Sequence, residues 1–323
     1  MNDTTLRRLA NTDLHVSALS FGGNVFGWTA DEPTSFALLD AYRAAGGNFV
    51  DSADSYSAWV EGHTGGESEE ILGRWTASRK HDDMIIATKV AQHPEFPGLS
   101  AANVKAAAEA SLRRLGVDTI DLYYAHAPDA KTPIAESAAA FSSLVDEGKV
   151  RYVGLSKHGP DQIREWLAAC DEGGLHRPVC LQEQYNLVER GVENDLVPFA
   201  QKEGLALLPF FGLARGFLTG KYRPGNAEAS SPRAAGARSY LDDPRGERVL
   251  AALDAIATER STEPSTVALA WLLARPGVVS VLSSARNSEQ LKSLLALNEL
   301  RLTVEEIDLL DENRLGIRGA AHE

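Results

Sequence analysis

Residues 84–126 read MIIATKVAQHPEFPGLSAANVKAAAEASLRRLGVDTIDLYYAH and contain a complete strand–helix–strand pattern. The stretch begins and ends with short apolar runs rich in β-branched and aromatic residues, which are typical of buried strands. Between them, Ser100 precedes an Ala- and Leu-rich segment with helical spacing, and Gly116 follows it. Ser is a preferred helix N-cap and Gly a preferred residue after a helix. The stretch therefore predicts a unit of the kind that builds a parallel sheet.

Similar units recur through the chain, about 30–36 residues apart over much of its length. We predict eight strands, at residues 16–21, 48–52, 84–89, 120–126, 150–156, 178–182, 206–210 and 278–282. Helical segments separate them, at residues 34–45, 68–77, 100–115, 133–147, 160–170 and 195–202. This order predicts an α/β fold, a (β/α)8 TIM barrel formed by residues 1–323 as a single domain. The alternative is a doubly wound open sheet, but the first turn, FGGNVFG at 21–27, lacks its glycine-rich phosphate motif.

Three regions lie outside this regular pattern. About 70 residues separate strands seven and eight, with a Gly-, Ala-, Ser- and Pro-rich insertion and two helical segments at 247–260 and 264–274. Because long loops in compact domains are uncommon, this one is predicted to be functional. We also expect a short N-terminal hairpin and extra C-terminal helices. The last of these, at 303–315, begins with Thr303 and Glu306 in a capping box.

The composition excludes several classes of protein. The 323 residues carry a formal net charge of −13, whereas nucleic acids and anionic membranes bind clustered Lys and Arg. The two cysteines, Cys170 and Cys180, are too few for a disulfide framework and indicate thiols in a reducing compartment. We see neither an apolar signal region nor an apolar run near the ~20 residues of a membrane span. We therefore expect a cytoplasmic protein with no nucleic-acid or membrane partner, and the scattered histidines predict no metal site.

Ionisable residues end three consecutive predicted strands. Asp51 lies in NFVDS, with which predicted strand two ends, Lys89 follows IIAT and His126 ends LYYAH, while Tyr56 lies five residues after Asp51. Barrel active sites lie at the carboxyl ends of the strands, so these side chains are expected to meet there. A Lys at the end of an apolar strand needs a nearby carboxylate, and its ammonium is expected to lower the pKa of a neighbouring phenol. The set predicts polar addition to a carbonyl, with Tyr56 as proton donor and His126 orienting the oxygen.

Alternatives remain for each residue taken alone. Lys89 could form a purely structural ion pair, His126 could be a satisfied buried histidine, and Tyr56 could lie on the surface. A lyase or aldolase with Lys89 as Schiff-base nucleophile is a further alternative. A neighbouring Asp51 disfavours it because the carboxylate would keep the amine protonated.

The insertion after strand seven is basic in an otherwise acidic chain. Residues 212–241 contain five bases against one acid, Glu228; the bases are Arg215, Lys221, Arg223, Arg233 and Arg238. Arg286 follows at the end of strand eight. Barrels often bind phosphate with the loops after strands seven and eight, although solvated surface charges are the alternative. Together with a metal-free carbonyl site, the segment predicts a reduced nicotinamide dinucleotide as hydride donor.

Nine segments, in order along the chain, resemble the aldo-keto reductases: NFVDSADSY, GESEEILGRW, IIATKV, IDLYYAHAPD, GKVRYVGLSKHG, LQEQYNLVER, LARGFLTGKY, VALAWLLARPGV and SARNSEQL. The resemblance covers essentially the whole length and points to the branch with a long loop after strand seven, which is related to the potassium-channel β subunits. It implies a (β/α)8 barrel that interconverts carbonyls and alcohols with NADPH, NADH being possible. It also implies the same roles for Tyr56, Lys89, Asp51 and His126.

The resemblance further implies a set of cofactor contacts. Ser156 and Gln182 would hold the nicotinamide carboxamide, Phe210 would stack on the nicotinamide, and Arg286 would bind the adenosine 2′-phosphate with Gln290 one turn further. The other candidate cofactor residues are Lys157, Phe211, Leu213, Arg215, Lys221, Arg233 and Ser284. The sequence departs from the family pattern at Lys157, in place of the commoner Asn, at Ser284, in place of Gly, and at Ser293 and Leu294, in place of a Glu-Asn pair.

Trp28, Trp59 and Phe96 follow predicted strands one, two and three and are candidates to line a pocket for a small-molecule carbonyl substrate. Each could instead pack within its own loop. An NADPH-binding regulatory or redox-sensing subunit with slow turnover is the alternative function, which Lys157 favours because the channel β subunits carry Arg there. The sequence indicates neither the oligomeric state nor the physiological substrate.

Overall fold

The computed structural model of the chain describes residues 6–79, 83–223 and 234–313. A two-stranded antiparallel hairpin, β1 (Arg7–Arg8) and β2 (His15–Val16), comes first. Eight parallel strands follow in one sheet: β3 (Leu19–Gly22), β4 (Phe49–Asp51), β5 (Ile85–Val90), β6 (Ile120–Ala125), β7 (Val150–Ser156), β8 (Cys180–Gln182), β9 (Ala206–Leu207) and β10 (Val281–Ser283).

Helices follow the strands and surround them. They are α1 (Glu32–Ala44), α2 (Glu67–Arg79), α3 (Ala101–Leu115), α4 (Ile134–Asp146), α5 (Pro160–Gly173), α6 (Leu196–Glu203), α7 (Ala234–Arg238), α8 (Pro244–Glu259), α9 (Pro264–Leu273), α10 (Ser288–Leu295) and α11 (Val304–Glu312). Local sequence explains their ends: Ser100 accepts a hydrogen bond from the Asn103 amide at the start of α3, and Gly116 is left-handed at its end. Among the described residues, no helix combines the length and apolar character needed to traverse a membrane.

The sheet closes on itself. Neighbouring strands are parallel in the order β10-β3-β4-β5-β6-β7-β8-β9. Backbone hydrogen bonds then join the two ends, because Leu207 N donates to Gly277 O and Leu282 N donates to Pro209 O, at 2.8 and 2.9 Å. The closed ring with outer helices confirms the predicted (β/α)8 barrel with a short N-terminal hairpin.

The barrel interior is filled from the bottom upward. Leu9, Leu14 and Val16 of the hairpin region belong to the same buried cluster as strand residues such as Phe49 and Leu122. The hairpin thus closes the lower end of the barrel. Only the upper end, where the strands finish, is left to form a site.

The structure corrects several predicted boundaries. The predicted strand 16–21 is wrong as one element, because Val16 pairs in the hairpin and the barrel strand starts at Leu19. The predicted strand 206–210 ends at Leu207 in the ladder, before Pro209, which has no amide to donate. The predicted strand 278–282 is observed as β10, which begins three residues later and ends at Ser283. The helix α10 was not predicted, and the final helix ends at Glu312, with residues 314–315 outside the described part.

Candidate active site

The inward-facing side chains at the upper end of the barrel form one layer. Every second residue of a strand faces inward, and Phe49, Ala87, Tyr124, Cys180, Leu208 and Leu282 belong to the buried interior cluster. The residue two positions further along each of these chain segments is charged, polar or aromatic. This upper layer consists of Asp51, Lys89, His126, Gln182, Phe210 and Ser284, with Ser156 at the end of β7. The layer therefore collects many of the predicted site residues.

Lys89 forms the centre of the buried hydrogen bonds in this layer. Its ammonium Nζ lies 2.5 Å from Asp51 Oδ2, 2.6 Å from the Ser52 carbonyl oxygen and 2.9 Å from the Tyr56 hydroxyl. Lys89 and Asp51 are both fully buried. Three acceptors occupy the three N–H bonds of the ammonium, so the phenol oxygen of Tyr56 is held directly against a fixed positive charge.

The loop after β4 fixes the position of Tyr56. The Asp54 amide donates to the Lys89 carbonyl oxygen at 3.2 Å, and the Tyr56 amide donates to the Ala53 carbonyl oxygen at 3.2 Å. Ser57 is left-handed, with φ of 72°, and its hydroxyl donates to the Phe26 carbonyl oxygen at 2.7 Å. This turn brings a residue five positions after Asp51 back over the end of the neighbouring strand.

Gln182 holds the second oxygen of Asp51. Its Nε2 donates to Asp51 Oδ1 at 2.7 Å, and both side chains are buried. Sequence reasoning assigned Gln182 only to a cofactor and missed this bond, although the two-residue strand period places both residues in the upper layer. Because Lys89 and Gln182 bind different oxygens, the carboxylate of Asp51 is fixed in orientation.

The expected lowering of the Tyr56 pKa is wrong in its net direction. Burial raises the pKa of the phenol, and although the Lys89 charge lowers it, Asp51 raises it again, so the net pKa lies above the ordinary value. Burial also acts to lower the pKa of Lys89, but Asp51 and Tyr56 outweigh it and the pKa is raised. At neutral pH the site therefore contains an ammonium beside a protonated phenol.

His126 lies beside Tyr56 at the end of β6. The centres of the two rings are 6.0 Å apart and the rings are inclined at 74°. Burial lowers the pKa of the imidazole well below its usual value, and the charges of Lys89 and Lys157 lower it further. Its Nδ1 has no hydrogen-bond partner within the described part of the chain. A neutral imidazole beside a protonated phenol can hydrogen-bond the same oxygen atom of a bound molecule.

Two aromatic residues line the approach to Tyr56. The rings of Trp28 and Trp59 meet edge to face at 5.5 Å, and Trp59 approaches Tyr56 at 6.2 Å. Trp59 is 52% exposed, which is unusual for so large an apolar side chain. Phe96, the third candidate pocket residue, instead packs against His93 at 5.2 Å. The structure thus brings two of the three candidates together with the phenol.

The candidate nicotinamide residues are compatible with a bound cofactor. The Ser156 hydroxyl is buried in the upper layer and has no partner among the residues described, so it can bond an amide such as a carboxamide. Phe210 and Phe211 are adjacent rings, 5.2 Å apart, at the end of β9. Phe211 and Arg215 are both left-handed, with φ of 53° and 58°. Such strained backbone is concentrated at ligand sites.

The basic segment is only partly available for phosphate. Arg223 forms an ion pair with Asp254 at 2.7 Å, which neutralises one of its five bases. The Arg215 guanidinium lies 5.1 Å from the Phe211 ring, and Lys221 lies 4.9 Å from the Tyr222 ring. Arg233 lies outside the described residues. Leu213 precedes a 3-10 helix, Ala214–Thr219, in this loop.

The residues after β10 form the start of α10. Gln290 Oε1 accepts a hydrogen bond from the Arg286 amide at 3.0 Å, so the Gln290 side chain orders this turn. Between residues 6 and 313, excluding the two gaps, no carboxylate lies within ion-pair distance of Arg215 or Arg286. Within these residues we also find no group of three His, Cys, Asp or Glu side chains arranged to hold a metal ion.

Lys157 extends across the end of the barrel. It is left-handed, with φ of 60°, and its Nζ lies 3.2 Å from Gln92 Oε1 in the loop after β5. Neither Gln92 nor this contact was predicted. A left-handed, non-glycine residue after a strand leaves no periodic signal in the sequence, so the direction of its side chain required the structure.

Comparisons with known proteins agree with this geometry. A model described as "Aldo/keto reductase family" matches residues 18–314. The chain is 34% identical over 315 residues to a probable voltage-gated potassium channel subunit beta of Oryza sativa subsp. japonica, covering 93% of both chains. It is 30% identical to norsolorinic acid reductase B of Aspergillus parasiticus, covering 92% of this chain and 79% of that protein. It is also 30% identical to an aryl-alcohol dehydrogenase of Pestalotiopsis microspora, covering 94% of this chain and 80% of that protein.

Proposed function

The chain belongs to the aldo/keto reductase family, and from this premise we propose that it reduces aldehydes or ketones to alcohols with NADPH. One observation carries the proposal: Lys89 Nζ touches Asp51 and the Tyr56 hydroxyl at once, at 2.5 and 2.9 Å, in a buried setting. An ion pair that only stabilised the fold would not require contact with a phenol at the open end of the barrel. Two relatives with reductase and dehydrogenase names support the same reaction class.

Tyr56 is the proposed proton donor. Its raised pKa keeps the phenol protonated at neutral pH, as a general acid requires. When the proton leaves, the phenolate that forms faces the Lys89 ammonium, which stabilises the new negative charge. Asp51 and Gln182 keep that ammonium in place, so the stabilisation is arranged before the proton moves.

His126 orients the carbonyl. Its lowered pKa keeps the imidazole neutral, so one ring nitrogen can donate a hydrogen bond while the ring adds no second positive charge. The ring lies 6.0 Å from the Tyr56 ring, centre to centre, which leaves room for a carbonyl oxygen near both groups. Two donors converging on one oxygen would fix its position relative to the proton donor.

The cofactor would be held on the β7–β10 side of the upper end. The Ser156 hydroxyl would bond the carboxamide, Phe210 would stack on the nicotinamide, and Arg215, Lys221 and Arg286 would bind the phosphates. The bound dinucleotide supplies the hydride that reduces the carbonyl carbon. The assignment of Arg286 to the 2′-phosphate makes NADPH, rather than NADH, the preferred cofactor.

The test is oxidation of NADPH by the purified protein with 4-nitrobenzaldehyde, together with titration of NADPH and NADH binding by fluorescence. We expect many turnovers per molecule and tighter binding of NADPH. The variant Arg286→Met should weaken the binding of NADPH about tenfold more than the binding of NADH, because only NADPH carries the extra phosphate. Absence of turnover with reactive aldehydes would contradict the proposal.

A second candidate is a regulatory subunit that binds NADPH and turns it over slowly. The relative from Oryza sativa is named as a probable voltage-gated potassium channel subunit beta. The resemblance of the sequence to that branch implies that Lys157 stands where the channel subunits carry Arg. The hydrogen-bonded set of Asp51, Lys89 and Tyr56 favours the enzyme. Tight NADPH binding with less than one turnover per minute in the same assay would favour the regulatory subunit.

A further inference from the structure

Lys157 has a strained and fixed backbone at the end of β7. Its φ of 60° is unfavourable for a residue with a side chain. The following amide, of His158, donates to the buried carboxyl of Glu183 at 3.1 Å, and the Lys157 amide donates to the Gln182 carbonyl oxygen at 3.4 Å. These bonds hold the turn in the conformation that directs the Lys157 side chain. Strain of this kind persists where the surrounding structure imposes it, and is common at ligand sites.

The Lys157 side chain passes over the end of β6. It starts after β7 and its Nζ lies 3.2 Å from Gln92 Oε1, which follows β5. In the sheet, β6 lies between β5 and β7 and leads directly to His126. The ammonium is therefore placed beside His126, and its charge is one of the causes that lower the pKa of the imidazole.

Lys157 differs from Lys89 in forming no ion pair with a carboxylate among the described residues. In the described part of the chain no carboxylate oxygen lies within 4.0 Å of its Nζ, whereas Lys89 has Asp51 at 2.5 Å. The carboxyl of Glu183, whose charge does act on Lys157, accepts the amide N–H of His158 instead of pairing with the ammonium. Burial, followed by the charge of Lys89, lowers the pKa of Lys157, and the opposing charge of Glu183 does not outweigh them.

The position of this cation separates it from the proposed phosphate groups. In the closed ring of eight strands, β5 lies opposite β9 and β6 lies opposite β10. The proposed phosphate-binding residues follow β9 and β10, across the barrel opening from Gln92 and His126. Lys157 was expected among the cofactor contacts, but its ammonium extends towards Gln92 and away from the proposed phosphate residues, so an anion there would belong to the substrate.

We propose that Lys157 and Gln92 form an anion subsite that binds a carboxylate on the aldehyde or ketone substrate. The inference rests on the proposed function, because the carbonyl of that substrate lies at Tyr56 and His126. Lys157 supplies the charge, and Gln92, whose Oε1 accepts from the ammonium, presents its amide N–H groups as further donors. Trp28 and Trp59 form an aromatic wall next to the phenol. The substrate class is an aromatic carbonyl compound carrying a carboxylate.

The experiment compares charged and neutral aldehydes of matched reactivity. The substrates are 2-, 3- and 4-carboxybenzaldehyde and the corresponding methyl formylbenzoates, whose esters are neutral. For at least one isomer, we expect the kcat/KM of the wild type to be about tenfold higher for the acid than for the ester. The ratio should fall to about one in Lys157→Met and remain in Lys157→Arg. Because both substrates use the same cofactor complex, the ratio cancels any effect of the substitution on cofactor binding.

The matched control is Lys202→Met, which removes an exposed lysine on α6 and should leave the ratio unchanged. No preference for the acid of any isomer in the wild type would overturn the subsite, as would a preference that survives in Lys157→Met. Failure to reduce any of the acids or esters would contradict the proposed function instead. Binding of benzoate relative to benzamide, measured by calorimetry, then tests the subsite without turnover: it stands only if Lys157→Met removes a preference for benzoate.

Discussion

Two buried ion pairs lie on opposite faces of the same strand. Lys89, facing the barrel interior, pairs with Asp51, and its neighbour Thr88 faces outward and donates to Glu69 at 2.5 Å. Glu69 in turn pairs with Arg114 of α3 at 2.6 Å. The inner pair ends at the Tyr56 hydroxyl, whereas Arg114 makes its further contact with the Ser111 hydroxyl, 3.3 Å away on its own helix.

The contrast indicates that burial of an ion pair is not by itself a sign of function. Both pairs are enclosed, and the outer one even perturbs a neighbour: burial, followed by the charge of Glu69, raises the pKa of Asp54 to about 8. Only the inner pair reaches a group at the open end of the barrel. Substitutions in the inner set should therefore affect catalysis, and those in the outer set should affect stability.

The largest expected effect is that of Tyr56→Phe on turnover. The variant removes the proton donor and keeps the ring, so kcat/KM should fall by about 10²–10⁴ while the melting temperature and NADPH binding change little. The measurement is steady-state reduction of 4-nitrobenzaldehyde. Tyr152→Phe is the matched control, because the Tyr152 hydroxyl bonds Asp13 at 2.8 Å, far from the barrel opening. Equal loss in both variants would contradict the role of Tyr56 as proton donor.

The outer pair should respond in the opposite way. Glu69→Gln leaves Arg114 largely buried without its carboxylate, which should lower the free energy of unfolding by about 3 kcal/mol. Urea denaturation measures this loss. The folded variant should retain kcat within about twofold, since Glu69 does not contact the inner set. A loss of kcat of tenfold or more, without unfolding, would mean that the outer pair takes part in positioning Tyr56.

A smaller effect is expected from Gln182→Leu. It removes a hydrogen bond to an ionised carboxylate, a contribution of about 1.5–3 kcal/mol, so kcat/KM should fall at least tenfold. Loss of this donor leaves Asp51 Oδ1 without its bond from Gln182 and loosens the carboxylate that holds Lys89 against Tyr56, so kcat should fall even at saturating NADPH. Gln201→Leu, an exposed glutamine on α6, is the control. Weaker NADPH binding with an unchanged kcat would limit Gln182 to cofactor binding.

Much of this arrangement follows from local sequence. The strand–helix alternation predicted the barrel, and its topology then brought Asp51, Lys89 and His126 together from the ends of consecutive strands. The bond between Gln182 and Asp51 joins β4 and β8, which are halfway round the ring, so it depends on the closure and tilt of the whole sheet. Neutralisation of Arg223 by Asp254 likewise depends on how a long loop folds back onto α8, for which local periodicity carries no information.

The stability of the protein should also depend on pH through His158. This buried imidazole, packed edge to face against Trp166, has its pKa lowered by burial to about 4. Between that value and its usual ~6.5 the unfolded chain binds the extra proton, so its contribution to stability is present above pH ~6.5 and is lost as pH falls. From pH 7 to 5.5, the wild type should lose about 1 kcal/mol more than His158→Gln in urea denaturation. An equal loss of the free energy of unfolding in the two proteins over this pH range would contradict the prediction.

The smallest effect is expected from an ion pair that faces water. Arg74 of α2 donates to Glu32 of α1 at 2.8 Å, and both side chains are about half exposed. Water screens the two charges and the pairing restricts two long side chains, so the coupling between Arg74→Met and Glu32→Gln should be about 0.5 kcal/mol or less. A double-mutant cycle in urea, alongside the same cycle for Arg114 and Glu69, measures both. If the exposed pair proves as strongly coupled as the enclosed one, burial is not what distinguishes the ion pairs of this barrel, and the stability assigned to the outer face must come from packing around Glu69.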